Sequence, residues 1–115
     1  MKVIIAGSRG FLDYNKLCSV CDSLLKDYKD IEIVSGTANG ADKLGEKYAR
    51  TRGYLIKRFP ADWDTYGKSA GYVRNREMAK YADFLIAFWN GDSVGTKHMI
   101  NSAKYFKLEV EVIYS

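Results

Sequence analysis

Little in this chain of 115 residues would staple, span or segment it. It has one proline, two cysteines and one histidine, and no stretch rich in Pro, Gly or Ser marks a linker or low-complexity segment. Two cysteines are too few for a disulfide framework and suit a reducing cytosol. They stand as Cys18-Ser19-Val20-Cys21, but a closed zinc site needs four ligands and the only histidine is His98. A redox pair would open a helix, whereas this pair falls inside one, so both cysteines read as small packing residues. No apolar run approaches the ~20 residues of a membrane span. The apolar start breaks at Gly7-Ser8-Arg9, too early for a signal-peptide core. Charge of one sign is scarce too: 18 Lys and Arg against 14 Asp and Glu leave +4, interleaved and without a like-charge block. Such a balance serves solubility and marks no nucleic-acid stripe by itself. A cytoplasmic domain with no membrane partner is expected.

What is present is ordinary globular material, 47% hydrophobic and 28% charged. The length is that of one domain spanning 1–115, long enough to bury roughly 65% of its unfolded surface without a staple. The apolar period switches repeatedly along the chain. Residues 2–6, 31–34, 54–59, 84–88 and 110–114 read as strands, and 13–28, 41–52, 71–81 and 94–106 as helices. Residues 61–69 read as a polar and aromatic loop, and Gly53 suits the end of the second helix. Strict β-α alternation implies an α/β fold: one Rossmann-like domain, a five-stranded parallel sheet with helices on both faces. The expected order is 3-2-1-4-5, with ligands outside the strands' carboxyl ends where the winding reverses.

The residues after each strand carry the functional argument. Gly7-Ser8-Arg9-Gly10 follows the first, and Ser35-Gly36-Thr37-Ala38-Asn39-Gly40-Ala41-Asp42 the second. Phe59-Pro60-Ala61-Asp62-Trp63 follows the third, and Trp89-Asn90-Gly91-Asp92-Ser93-Val94-Gly95-Thr96-Lys97 the fourth. Glycines let backbone N–H groups approach an anion, and each following helix N-terminus is partly positive. Ser8, Ser35, Ser93 and Thr96 add hydroxyls, while Arg9, Arg74 and Lys97 add cations. Converging on one edge, these loops read as a site for a phosphate-bearing ligand. None is Gly-x-x-x-x-Gly-Lys-Ser/Thr or Gly-x-Gly-x-x-Gly, which disfavours an ATPase and an ordinary dinucleotide dehydrogenase. Trp63 and Trp89 could stack on a base, or close the core or a subunit interface. The aspartates form no metal-ligand pattern, although Mg²⁺ could arrive with a phosphate ligand.

Taken together, Gly7-Ser8-Arg9, the 35–42 turn and Gly95-Thr96-Lys97 resemble the SLOG superfamily, which includes DprA and the LOG phosphoribohydrolases. Phe59 to Trp63, Arg74-Asn75 with Met78, and Ala87-Phe88-Trp89 resemble its small YspA/YpsA-related branch. The resemblance implies binding of a nucleotide or ADP-ribose-type signal. It places Gly7, Ser8 and Arg9 on the phosphate or ribose side, with Gly36, Ala38, Gly40 and Asp42 in a second turn and Gly95 and Thr96 in a third. It also implies a homo-oligomer. Two departures stand out. Thr37 replaces a glycine usual in the branch, and Met99 occupies the position where LOG enzymes keep a catalytic Glu. Binding without turnover, as a sensor or sequestering module, is the leading expectation. The alternatives are an N-glycosidic or phosphoribosyl hydrolase using Asp42, Asp62 or Glu77, and single-stranded nucleic-acid binding like DprA's.

Overall fold

The computed structural model describes all residues, 1–115. In chain order the elements are β1 (Lys2–Gly7), α1 (Tyr14–Leu25), β2 (Glu32–Ser35), α2 (Ala41–Arg52) and β3 (Leu55–Arg58). There follow α3 (Trp63–Tyr66), a 3₁₀ turn (Gly67–Ser69), α4 (Ala70–Tyr81), β4 (Phe84–Trp89), α5 (Val94–Tyr105) and β5 (Glu109–Tyr114). All neighbouring strands pair parallel in the order β3-β2-β1-β4-β5. The Rossmann-like architecture read from the alternation is therefore what the chain adopts.

Side chains of a strand point alternately to opposite faces. Val3 and Ile5 of β1 consequently enter a core closed by α1 and α2, together with Leu17, Cys21 and Tyr48. Ile4 and Ala6 enter a second core closed by α4 and α5, with Met78, Met99 and Ile100. Cys21 is fully buried, and burial pushes its thiol up to about 12. It packs as expected for an inert cysteine. Gly53 ends α2 in the left-handed conformation, its N–H bonded to the Ala49 and Arg50 carbonyls.

One segment differs from its reading. Residues 61–69 are not a loop throughout, because Trp63–Tyr66 forms a short helix that runs into the 3₁₀ turn. Asp62 caps it, accepting from the Thr65 N–H at 3.1 Å. None of its residues is buried, so no apolar periodicity announced it. No helix is long and apolar enough to cross a membrane.

Candidate functional site

The carboxyl ends of β1, β2 and β4 meet α2, α4 and α5 around a cleft. Its inner part is a cavity of about 90 Å³, lined among others by Arg9, Asp42, Arg74, Asn75, Thr96 and Met99. An outer groove of about 140 Å³ shares Arg9, Ala38 and Arg74 with it and extends past Gly36, Thr37 and Pro60 to Trp63.

Several residues read as ligand contacts hold the walls of the cleft together. A Cβ on Gly7 would strike the Phe88 carbonyl of β4, so glycine is needed there for strand and loop contact. Ser8 is buried and ties three turns together. Its N–H donates to the Phe88 carbonyl at 3.0 Å, its own carbonyl accepts from Phe11 and Ala41, and its hydroxyl accepts from the Asn90 N–H. The Ser35 hydroxyl donates to Glu46 at 2.7 Å and accepts from the Thr37 N–H. Arg58 closes that network on the other Glu46 oxygen at 2.9 Å. Burial pushes the Glu46 carboxyl up, but the bonds from Ser35 and Arg58 outweigh it and hold it below the usual glutamate range.

Thr37 has φ of 66°, which supplies a conformational reason for a glycine at this position. Asn90 accepts from the Asp92 and Ser93 N–H groups and Gly91 turns at φ of 88°, which shapes the loop into α5. Trp89 donates to the Ser93 carbonyl at 3.0 Å and lies against Tyr114, outside the cleft.

The cleft itself is set by four pieces. Ser93 caps α5 on the Thr96 N–H, leaving the Val94 and Gly95 N–H groups without intrahelical partners. Nothing stands within 4 Å of where a Gly95 Cβ would be. Arg74 donates from Nη1 to the Gly36 carbonyl at 2.5 Å and from Nε to Asn75 Oδ1 at 3.0 Å. Asn75 in turn donates to the Gly95 carbonyl at 3.3 Å and contacts His98 Nδ1 at 3.2 Å, linking Arg74 to the α5 N-terminus. Arg9 is exposed and forms no ion pair.

Asp42 faces these cations from the first turn of α2, 6% exposed, with Oδ2 accepting from the Ala38 N–H at 3.1 Å. Burial pushes its carboxyl up to about 6 despite the Ala38 bond and the attraction of Arg74. Burial also draws the Arg74 guanidinium down, partly countered by Asp42 and reinforced by Arg9. A carboxyl perturbed this way within a cleft is a functional-site signature.

The sign of its linkage is clear. Between about pH 4 and 6 the folded state holds a proton that the unfolded state has released, so this group's contribution falls as pH rises. Asp42→Asn should therefore stabilise the fold by about 1–3 kcal/mol at pH 8 and by almost nothing at pH 4. Denaturant titrations at both pH values check it, and an equal gain at the two would refute the burial of charge.

Of the remaining candidates, the structure does not bring Lys97, Asp62 or Glu77 to the cavity. Lys97 is exposed on α5, Asp62 caps α3, and Glu77 is exposed on α4. Met99, 2% exposed, lines the cavity floor beside Met78. No cluster of three His, Cys, Asp or Glu side chains suited to a metal forms anywhere. Glu46 escaped sequence reading. Its signal was helical spacing, because Asp42 and Glu46 sit four apart on the face that also carries Gly45 and Ala49.

The family model described as "YAcAr: YspA, cpYpsA-related SLOG family" matches residues 1–66, from β1 through α3. The chain belongs to this SLOG family. Gene 61 protein of Mycobacterium phage D29 is 36% identical over 110 residues, covering 90% of this chain and 88% of the relative. The crystal structure of DNA processing protein A (DprA) from Streptococcus pneumoniae superposes on 99% of the chain with a TM-score of 0.78 at 20% identity. The chain spans half of that protein's length. The matched SLOG stretch contains Arg9 and Asp42, whereas Arg74, Asn75 and the α5 N-terminus lie beyond it.

Proposed function

We propose that the cleft binds a nucleotide unit by its phosphate. The observation that carries this reading is the pair Arg9 and Arg74. Both line the cleft with no carboxylate within ion-pair distance, beside the unbonded N–H groups that open α5. Cations and a helix N-terminus together make an anion site. The outer groove then leads the base toward Trp63, 55% exposed. Met78 and Met99 on the floor supply no acid or base, so Asp42 is the one carboxyl group of the cavity.

A free nucleotide and one unit of a single strand present the same chemistry to this cleft. The small inner cavity supports a compact signalling nucleotide that is sensed or sequestered. The comparisons support the strand more directly, since the fold likeness spans nearly the whole chain and reaches a protein named for DNA processing. Salt separates the two. A strand gripped through two or three phosphates should lose affinity with a log–log slope of about −1.4 to −2, at ~0.7 per phosphate. Fluorescence anisotropy of a labelled single-stranded 8-mer, titrated over a range of salt concentrations, should show that slope. Tighter and nearly salt-independent binding of mononucleotides would favour the free ligand, and no binding of either would sink the proposal.

A further inference from the structure

Asp42 answers a question the phosphate grip leaves open: which sugar the ligand carries. Its carboxylate lies against the inner cavity and is 6% exposed. One oxygen, Oδ2, is engaged by the Ala38 N–H at 3.1 Å. The other, Oδ1, has no hydrogen-bond partner in the chain, and neither Arg9 nor Arg74 comes within ion-pair distance. No side-chain oxygen or nitrogen of the core is sealed off without a partner, so Oδ1 opens to the cavity.

An ionised carboxylate accepts and cannot donate, and left unmatched at this burial it is costly. A phosphate cannot satisfy it, being an acceptor of the same sign. The group that fits Oδ1 is therefore a donor held next to the phosphate on the same ligand. Within a nucleotide unit, a sugar hydroxyl stands in that place. Inside a strand the 3′ oxygen is esterified, so only a 2′-hydroxyl remains to donate.

We infer that Asp42 reads the ligand's sugar by accepting a hydrogen bond at Oδ1, from the 2′-hydroxyl within a strand, where it selects ribose over deoxyribose, and from the 2′- or 3′-hydroxyl of a free nucleotide. The inference rests on the phosphate grip of Arg9 and Arg74. It names the ligand class as a nucleotide with a free sugar hydroxyl, which within a strand means RNA. Of the other two buried polar side chains of the cavity, Asn75 has both ends occupied by Arg74, Gly95 and His98, and the Thr96 hydroxyl is paired with that of Ser93. That leaves Asp42 to read the sugar.

The test compares two matched pairs, AMP with 2′,3′-dideoxy-AMP and an oligo(A) 8-mer in its ribo and deoxyribo forms, by titration calorimetry. Wild type should prefer ribose roughly tenfold or more, as expected for a hydrogen bond to a charged acceptor. Asp42→Asn, which retains an acceptor for the Ala38 N–H, should shrink that preference, and Asp42→Ala should bring the ratio to about one. A merely structural Asp42 would weaken both sugars alike and leave the ratio standing, which overturns the inference. So would a wild type indifferent to the sugar while Arg74→Ala still weakens binding, a result that leaves the phosphate grip intact. Affinity that ignores Arg74 overturns the grip itself. Preference confined to the monomer pair marks a free nucleotide, and preference in the 8-mer pair marks RNA.

Discussion

Replacing Arg74 by alanine is expected to lower affinity for a phosphorylated nucleotide ligand by about 1.5–3 kcal/mol, roughly ten- to hundredfold. The guanidinium is half-buried at the junction of cavity and groove, so water screens it less than an exposed charge. It is also held in place, by the Gly36 carbonyl on one side and Asn75 on the other. Preorganisation of that kind lowers the entropy lost on binding. Arg9→Ala should cost less, because Arg9 is exposed and free to move. Lys97→Ala should cost nothing, because Lys97 lies outside the cleft. Arg74→Lys separates charge from geometry, since an ammonium cannot reproduce the planar fork. Calorimetry on the folded variants gives the ranking. Equal affinity for wild type and Arg74→Ala would remove Arg74 from the site.

Gly40→Ala should be the most damaging single-methyl change in the chain, costing about 3 kcal/mol or more and lowering Tm by roughly 10 °C or more. Gly40 precedes α2 with φ of 80° and ψ of −128°, a region closed to residues with a side chain. Its added Cβ would also strike the carbonyl oxygens of Ser8 and Arg9. Both obstacles are backbone, so no rotamer change relieves them. The β1 turn would have to move, taking Arg9 with it. Gly95→Ala is the informative opposite. It stands in the first turn of α5 with open space around it, so alanine there should stabilise the helix by at most about 0.5 kcal/mol. A methyl group there would nonetheless crowd an anion approaching the helix N-terminus and weaken binding. Thermal melts and ligand titrations on the pair should therefore move in different directions for Gly95→Ala and together for Gly40→Ala. A Gly40→Ala protein melting with wild type would refute the backbone account.

The two glycines show why part of the site was legible before any coordinates and part was not. Their clustering after strands pointed to the edge of the sheet where the cleft opens. It could not say that Gly40 is required by its own conformation, or that Gly7 exists to let β1 and β4 turns touch. The aspartates divide in the same way. Asp42, Asp62 and the neighbouring acids look alike in sequence. Asp62 turns out to cap a two-turn segment and faces water, while Asp42 is enclosed beside two arginines. Trp63 lies beyond the end of β3 and Trp89 ends β4, yet only Trp63 reaches the groove, because Trp89 is turned onto Ser93 and Tyr114.

The sequence by itself determined the alternation of five strands with four long helices and the parallel sheet they build, but not the short α3, which buries no residue. The elements follow from local periodicity, and the handedness of β-α-β crossovers limits the sheet to a few strand orders, of which the pairing of β1 with β4 realises one. Only the tertiary structure decided which side chains share the cleft. Arg9, Asp42, Arg74 and Thr96 come from four separate segments, and their meeting depends on how α4 and α5 lie against the sheet. The displaced proton affinity of Asp42 belongs to the same level, since it arises from the exclusion of water once those segments have packed.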